Sequence, residues 1–374
     1  MASIRLSGLA HSYVDQPLTE QDYALHSLNH EFKQGGAYAL LGPSGCGKST
    51  LLNIISGLLK PSDGEVLFDQ QAVTDLSPAE RNIAQVFQFP VVYDSMTVAE
   101  NLAFPLKNMK LPAAQIKQKV AEIADLLELS EILNKKAKNL TADQKQKVSM
   151  ARGLVRENVS AILFDEPLTV IDPHLKWKLR RKLKQLHEQL NITMLYVTHD
   201  QLEAATFADQ IAVMYQGKIV QFGTPQDLFE RPNHTFVGYF IGSPGMNFID
   251  CAGHQSSAEF TSLIDRLSAA QKASLAASDS KNIKLGIRPE FIHITMTETE
   301  STTCAQFESV EHLGTYQIVT AQWFDTRVKV RVDENWQPQS DILYLDCPSE
   351  WLKLYIDDYI AAEPQQDERE DSEV

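Results

Sequence analysis

The sequence predicts an α/β domain followed by a smaller β domain, and three observations support this fold class. Residues 42–50 match the pattern G-x-x-x-x-G-K-[ST] between an apolar strand and the start of a helix. Apolar strands and helical segments then alternate as far as about residue 238, which is typical of α/β architecture. From residue 239 to 362, short segments of alternating apolar and polar residues predict a β domain instead.

The amino-acid composition limits the classes of protein to which this chain can belong. The 374 residues are enough for two domains, and 43% hydrophobic and 22% charged residues are typical of a soluble globular protein. No apolar run approaches the roughly 18 residues of a membrane span, and the N-terminus lacks the apolar core of a signal peptide. The four cysteines have neither metal nor disulfide spacing, which predicts a reducing cytoplasm. The net charge of −15 argues against a nucleic-acid partner, because binding nucleic acid requires a basic surface.

The first 36 residues predict two strands joined by a polar loop. Tyr13 lies in this segment, ahead of the glycine-rich loop, so its ring could stack on an adenine base. An ordinary strand aromatic is an equally good interpretation of Tyr13.

The glycine-rich loop predicts a site for a nucleoside triphosphate. Strand, loop and helix start together aim backbone N–H groups and the positive end of a helix dipole at one point, which suits phosphates. We expect Lys48 to reach the β- and γ-phosphates and the Ser49 hydroxyl to bind Mg²⁺. The alternative is a chance Gly/Ser loop before a helix, and the flanking strand and helix argue against it. The residues expected to contact the nucleotide are Gly42, Pro43, Ser44, Gly45, Cys46, Gly47, Lys48, Ser49 and Thr50.

Polar residues end three later apolar segments. Gln88 ends the predicted strand 82–88, Asp165 and Glu166 end a second strand, and His199 ends a third. Ligands bind at the strand ends of an open parallel sheet, so we expect Asp165 to hold Mg²⁺ and Gln88 to contact Mg²⁺ or the attacking water. Glu166, expected to point the opposite way from Asp165, can polarise water, and His199 can reach a γ-phosphate. Each residue also has an alternative interpretation. Gln88 could be an ordinary loop residue, the Asp165–Glu166 pair a solvated acidic turn, and His199 a structural histidine.

The remaining segments predict the organisation around this site. Residues 95–157 have the apolar spacing of a helical subdomain, in which Thr141 is a plausible N-cap. A basic helix after Asp172 is interpreted as a solvated outer face. Residues 211–220 predict a β-hairpin at the sheet edge. The acidic tail, residues 363–374, has no apolar residue before its last, so we expect it to be disordered and dispensable.

The order of these motifs resembles that of the ATP-binding subunits of ABC transporters. Segments 241–248 (Ile-Gly-Ser-Pro-Gly-Met-Asn-Phe) and 286–290 (Gly-Ile-Arg-Pro-Glu) resemble the OB-like regulatory domain of the sugar-importer branch. Three other segments, 82–94, 140–147 and 167–177, resemble the ATPase subunits of the bacterial glycerol ABC importer.

This resemblance implies a RecA-like phosphate-loop NTPase core over residues 1–238 and an OB-like domain over residues 239–362. It also implies ATP and Mg²⁺ as cofactors, and ATP hydrolysis coupled to uptake of a small polyol or sugar-type solute, glycerol above all. The implied partners are membrane-spanning permease subunits, a second and non-identical ATPase subunit and, indirectly, a periplasmic solute-binding protein. The implied location is the cytoplasmic face of the inner membrane, as a peripheral subunit.

The resemblance also implies roles for individual residues. Asp165 would hold Mg²⁺ through water, and Glu166 would orient or deprotonate the attacking water. His199 would bridge to the γ-phosphate, and Gln88 would sense the site and couple it to the membrane subunit.

One motif departs from the family pattern. The family signature Leu-Ser-Gly-Gly-Gln caps the γ-phosphate of ATP bound by the partner subunit. Both glycines, which would allow a close backbone approach, are missing here. Asp143 would also bring a carboxylate toward a polyanion. The segment after Glu166 is altered too, so communication across the dimer is in doubt. The signature of this chain reads Leu140, Thr141, Ala142, Asp143 and Gln144.

Two alternatives to an importer subunit stay open. A soluble ABC ATPase of DNA repair or translation is disfavoured by the single phosphate loop, the lack of sustained heptads and the acidic charge. An ATP-binding regulator that has lost hydrolysis is disfavoured by the presence of Asp165, Glu166 and His199.

Overall fold

The structure is a computed structural model that describes residues 2–156, 159–251, 258–295, 297–299 and 301–361. The chain divides into two compact units, Met1–Pro225 and Gln226–Val374. The boundary at residues 238 and 239 that the sequence suggests stays a prediction. The predicted acidic tail, residues 363–374, lies outside the described residues.

The first unit is an α/β structure, as the sequence predicts. Its strands are β1 (Ile4–Ser12), β2 (Tyr23–Phe32), β3 (Ala37–Leu41), β4 (Asp63–Phe68), β5 (Gln71–Ala72), β6 (Ala84–Val86), β7 (Ile162–Asp165), β8 (Met194–Thr198), β9 (Gln210–Tyr215) and β10 (Lys218–Gly223). Its helices are α1 (Lys48–Ser56), α2 (Val98–Asn108), α3 (Ala113–Leu126), α4 (Ala142–Leu154), α5 (Pro173–Leu190) and α6 (Gln201–Phe207), with α7 (Pro225–Glu230) at the boundary.

The larger sheet of this unit has the order β10-β9-β3-β8-β7-β6. All of its pairs are parallel except the β9–β10 hairpin at one edge, which confirms the predicted hairpin. In this register Leu41 lies opposite Thr198, and Asp165 lies opposite Val197. The carboxyl ends of β3, β7 and β8 therefore meet at one sheet edge, where ligands bind in open α/β sheets.

A second, antiparallel sheet has the order β2-β1-β4-β5 and shares a core with the larger sheet and α1. On α1 the apolar face is buried, with Leu51, Leu52, Ile54 and Ile55 fully enclosed. Leu58 continues the helical spacing of these residues but is 53% exposed, because the helix has already ended at Gly57, whose φ is 82°. A left-handed glycine at this position is a common helix stop.

The predicted strand 82–88 is shorter than expected. Asn82 has a left-handed φ of 49°, and only the residues of β6 pair with β7. Gln88 therefore lies two residues beyond the strand end. Helices α2, α3 and α4 lie within the helical region predicted for residues 95–157, and the bounds of that subdomain stay a prediction.

The second unit contains two antiparallel sheets, of order β11-β12-β18-β19 and β13-β17-β14-β15-β16. Besides α7 at its boundary, the described part of this unit contains three helices that the sequence pattern did not predict, because each has no more than nine residues. The strands are β11 (Asn247–Asp250), β12 (Ile283–Ile287), β13 (His293–Thr295), β14 (Thr302–His312), β15 (Tyr316–Trp323), β16 (Thr326–Asp333), β17 (Ile342–Asp346), β18 (Lys353–Ile356) and β19 (Tyr359–Ile360). The helices after α8 (Thr235–Phe240) are α9 (Ala258–Asp265) and α10 (Ala269–Ala277).

The core of the second unit comes from both sheets, with Trp323, Phe260 and Leu285 among its fully buried side chains. Within the described ranges no helix is long and apolar enough to cross a membrane.

The basic face of α5 is paired with carboxylates, which agrees with an outer face and not a nucleic-acid patch. Lys178 and Lys182 both bind the Glu128 carboxylate, and Lys184 binds Asp209. Glu128 follows α3, so its two ion pairs connect the helical region to α5.

The two lysines lower the pKa of the Glu128 carboxyl from 4.5 to about 2. Because the folded-state pKa lies below the unfolded one, this stabilisation is fully present above about pH 4.5 and is lost as the pH falls toward 2. After discounting for exposure, we expect Glu128→Gln to cost on the order of 0.5–1 kcal/mol at neutral pH. The thermal unfolding midpoint should fall by about 1–3 °C at pH 7 and low salt, and by less at pH 3. The exposed Glu131→Gln variant is the matched control, and an equal shift at both pH values would contradict the ion-pair assignment.

Candidate phosphate and catalytic site

The loop after β3 has the backbone geometry of a phosphate site. Gly47, the N-cap of α1, has a φ of 100°, and a Cβ at this position would lie 2.6 Å from the Ala24 carbonyl oxygen. Only glycine fits both conditions. The buried Lys48 ammonium donates to the carbonyl oxygens of Gly42 and Pro43, each at 2.8 Å. These two hydrogen bonds hold the cation at the mouth of the loop, where the sequence places the phosphates.

Ser49 and Asp165 meet directly beside this loop. The Ser49 hydroxyl donates to Asp165 Oδ1 at 3.1 Å, across 116 positions of sequence. Burial raises the pKa of the Asp165 carboxyl, and the adjacent Glu166 charge adds to the rise, whereas the Ser49 hydrogen bond and the Lys48 charge oppose it. A buried carboxylate next to a hydroxyl supplies the hard oxygen ligands that Mg²⁺ takes in small numbers while keeping several waters.

Glu166 lies immediately after the end of β7, and strand alternation predicts that its side chain points the opposite way from that of Asp165. Its φ of 44° is left-handed, so the chain leaves the strand pattern immediately after Asp165. The Glu166 N–H still donates to the Val197 carbonyl oxygen at 3.0 Å, which anchors the turn to β8. A left-handed non-glycine residue is strained, and such strain is concentrated at functional sites.

The turn brings the Glu166 carboxylate into contact with three other side chains. Gln88 Nε2 and Thr169 Oγ1 each donate to Oε2 at 3.3 Å, and His199 Nδ1 lies 3.3 Å from Oε1. The structure thus brings together the residues that the sequence analysis placed at three separate strand ends. Glu166 is the centre of this cluster.

Two other predicted nucleotide contacts differ in character. Cys46 is buried, and burial raises the pKa of its thiol, which opposes thiolate chemistry in the loop. Tyr13 is 66% exposed, and its hydroxyl lies 3.1 Å from Thr50 Oγ1 on α1. Its ring is therefore accessible beside the phosphate loop, and stacking on a base stays a prediction.

The altered signature segment forms the start of α4. Thr141 caps the helix as predicted: its hydroxyl accepts from the Gln144 N–H at 3.3 Å, and the Gln144 side chain accepts from the Thr141 N–H at 3.2 Å. The Asp143 carboxylate lies 3.9 Å from Lys147 Nζ, and Lys145 binds Asp94 instead, at 2.8 Å. The side-chain contacts of Thr141, Asp143 and Gln144 described here thus stay within the first turns of α4.

Several residues that shape the site were not found from sequence. Thr169 contacts Glu166, and the fully buried Gln146 donates to the carbonyl oxygens of Phe87 and Pro167 at 3.1 and 3.0 Å. Gln146 therefore joins the segment after β6 to the segment after β7. Buried Glu203 accepts from the hydroxyls of Tyr196 and Thr198, both at 3.1 Å. Only Thr169, three residues after Glu166, had a local sequence signal, since a hydroxyl at this spacing can close a turn.

Comparisons with known families match both units. The family model described as ABC transporter matches residues 25–169, and the model of the MalK OB fold domain matches residues 242–292. The second match contains most of segment 241–248 and all of segment 286–290.

Curated relatives cover most of the chain. It is 43% identical over 298 residues to the sn-glycerol-3-phosphate import ATP-binding protein UgpC of Bordetella avium, covering 79% of this chain and 80% of the relative. To the protein of the same name from Salmonella typhimurium it is 36% identical over 356 residues, covering 95% and 98% of the two chains.

Two solved structures match a part of this chain that is about as long as the first unit. One is cbiO1 from Clostridium perfringens, described as part of the ABC transporter complex cbiONQ, with a TM-score of 0.55 and 30% identity over 61% of this chain and 90% of that one. Another is the ATP-binding cassette MJ0796, in a dimer bound to ADP and Pi after hydrolysis, with a TM-score of 0.53 and 31% identity over 59% and 98% of the chains. The predicted fold class, a phosphate-loop α/β core followed by an OB-like domain, is confirmed.

Proposed function

The chain belongs to the ATP-binding subunits of ABC transporters, which hydrolyse ATP, and from this premise we propose that it drives the import of a small polyol. Glycerol is the solute that we propose first, on the three segments that resemble the glycerol importer. The observation that carries the catalytic part is the Glu166 carboxylate, held by Gln88, Thr169 and His199 next to the Ser49–Asp165 pair.

In this proposal Glu166 is the general base. A water held by its carboxylate loses a proton to it while attacking the γ-phosphorus, and the bond to the leaving oxygen of ADP breaks. Lys48, whose ammonium donates to two carbonyl oxygens of the loop, supplies the cation for the β- and γ-phosphate oxygens. His199 is 57% exposed on its side chain, so it can contact both Glu166 and a γ-phosphate arriving from solvent.

Mg²⁺ would be held by the Ser49 hydroxyl and by Asp165, directly or through water. Gln88 donates its amide N–H to Glu166, and the amide oxygen of the same side chain would be a further ligand for the ion. When bound, the ion neutralises charge on the β- and γ-phosphate oxygens. Burial raises the pKa of Asp165, and a bound cation would offset this cost of burying the carboxylate.

A permease contact beside Gln88 fits the proposal. Phe89 is 73% exposed, Val91 is 50% exposed and Tyr93 is 41% exposed, so three large apolar side chains lie at the surface within five positions of sequence. Val91 and Phe104 also line an open cavity of about 280 Å³ between the segment after β6 and helices α2 and α4. A cytoplasmic segment of a permease would cover this surface and connect directly to Gln88. We accordingly place the chain on the cytoplasmic face of the membrane as a peripheral subunit.

A second ATPase subunit completes the site, and we propose that it is a different chain. The start of α4 presents Asp143 where the family has glycine, and the capping box occupies the N–H groups of Thr141 and Gln144. Two copies of this chain would place that feature at both nucleotide sites.

A second candidate solute is sn-glycerol-3-phosphate, which the relatives' names support. The deciding experiment reconstitutes this chain with its permeases, a solute-binding protein and the second ATPase in lipid vesicles. ATP turnover and uptake are then measured with glycerol and with sn-glycerol-3-phosphate. If only glycerol stimulates ATP turnover, the first proposal is supported, and if only sn-glycerol-3-phosphate does so, the second is supported. ATP turnover that depends neither on these solutes nor on the permeases would contradict the importer function.

Replacing Lys48 by alanine should weaken ATP binding at least tenfold. The phosphates lose a charge-assisted hydrogen-bond donor, and such bonds contribute about 1.5–3 kcal/mol. Titration calorimetry of ATP with the purified chain measures the change. Lys60→Ala is the matched control, because Lys60 is exposed and pairs only with Asp75 in the described structure. An unchanged ATP dissociation constant in the Lys48→Ala variant would contradict the assignment of residues 42–50 as the phosphate loop.

A further inference from the structure

Strand β1 is irregular immediately before Tyr13. Its pairing with β2 shifts register on both sides of His11, between Leu9 and His11 and again between His11 and Ser12. Such bulges re-aim side chains and are common next to active sites. Here the two shifts turn His11 inward, where it is 6% exposed, while Tyr13 stays 66% exposed.

The His11 ring packs perpendicular to the Tyr13 ring. Their centroids are 4.6 Å apart and the ring planes meet at 88°. The Tyr13 hydroxyl lies at hydrogen-bond distance, 3.1 Å, from Thr50 Oγ1. Thr50 is two residues after Lys48. Tyr13 is thus fixed at two points: its ring by His11 and its hydroxyl by the first turn of α1.

Polar contacts do not explain why a histidine occupies this position. His11 Nδ1 lies 3.4 Å from Ser62 Oγ, at the long end of the hydrogen-bond range. Its Nε2 is buried and has no hydrogen-bond partner in the described part of the chain. A buried nitrogen without a partner costs stability, so an apolar side chain would serve a purely structural role better. Burial also lowers the pKa of His11, which leaves the ring neutral at pH 7.

We propose that His11 is a positioning residue for the nucleobase: through the bulge and the perpendicular ring contact it holds Tyr13 flat against an adenine. This inference rests on the proposed nucleotide site. His11 itself contacts neither the base nor the phosphates. His11 orders the Tyr13 ring before the nucleotide binds. The entropy cost of immobilising the ring therefore does not reduce the binding free energy.

The test separates the base from the phosphates. ATP and tripolyphosphate, which has no base, are titrated into wild type, His11→Ala, Tyr13→Ala and the double variant. We expect His11→Ala to weaken ATP binding about two- to tenfold, as for the loss of an aromatic pair, and to leave tripolyphosphate binding unchanged. In the Tyr13→Ala background, removal of His11 should have no further effect on ATP, because His11 acts only through Tyr13.

Two further variants make the result specific. His11→Phe keeps a ring against Tyr13 and should restore most of the ATP affinity, with a folded protein shown by an unchanged unfolding midpoint. His30→Ala removes a histidine ring that packs against Phe32 and Phe222 instead of Tyr13, and it should bind ATP like wild type. The inference is wrong if His11→Ala weakens the binding of tripolyphosphate as much as that of ATP. It is also wrong if the double variant loses ATP affinity by the product of the two single-variant factors. If wild type binds neither ligand, or Lys48→Ala changes nothing, the proposed nucleotide site has failed instead.

Discussion

Glu166→Gln should still bind ATP but lose at least a hundredfold in the rate of hydrolysis. Glutamine has nearly the same shape and can keep contacts to Gln88, Thr169 and His199, but it cannot accept a proton from water. A lost general base typically costs two to four orders of magnitude in rate. Because ATP stays bound while turnover stops, the variant should also trap a closed dimer.

Single-turnover hydrolysis and ATP affinity are measured on the same preparation of the complex. Glu188→Gln is the matched control: it makes the same change at an exposed position on α5 and should leave both quantities unaltered. Near-normal hydrolysis in Glu166→Gln would show that another group removes the proton from water, with His199, 3.3 Å away, as the first residue to examine.

The parts of the site that could be predicted are those encoded locally. Lys48 and Ser49 follow from one motif, because the loop and the helix start determine where their side chains lie. Asp165 follows from its position at the end of an apolar strand, since parallel strand ends gather at one edge. The proximity of His199 to Glu166 follows from the same rule once β7 and β8 are neighbours.

What could not be predicted depends on backbone exceptions or on distant partners. Glu166 has a left-handed φ of 44°, and strand alternation indicates neither this turn nor the contacts that the Glu166 carboxylate makes after it. Gln146 contacts carbonyl groups 59 and 21 positions away, so no spacing rule reveals it. The bulge around His11 arises from mismatched pairing with β2, and the sequence of β1 alone contains no sign of it.

Asymmetry between the two nucleotide sites is the second large expected effect. In a complex with an unlike partner, one site contains Lys48, Asp165 and Glu166 of this chain, and the other is closed by its segment 140–144. A unit charge about 4 Å from another costs roughly 4 kcal/mol at an effective dielectric of 20. The Asp143 carboxylate would exert this repulsion on a γ-phosphate at the second site. Most hydrolysis should therefore occur at the site that uses Lys48.

The surroundings of Asp143 decide how much of the repulsion remains. Lys145 cannot offset it, because its ammonium binds Asp94 at 2.8 Å. Lys147 lies 3.9 Å from Asp143, beyond hydrogen-bond range, so it offsets the charge only in part. Oδ1 of Asp143 is buried without a hydrogen-bond partner among the described residues. A residual penalty near 3 kcal/mol corresponds to a factor on the order of a hundred in rate.

Asp143→Gly in a complex that already carries Glu166→Gln should accordingly raise the remaining ATP turnover on the order of a hundredfold. Asp143→Asn should recover part of this gain, since it removes the charge and keeps the side chain. Lys147→Ala in the same background should lower turnover further, because the carboxylate then has no cation beside it. No gain from Asp143→Gly would mean that the segment lies away from the partner's phosphates. If Glu166→Gln alone leaves turnover nearly intact, and the equivalent change in the partner subunit abolishes it, the active and inactive sites are the reverse of this assignment.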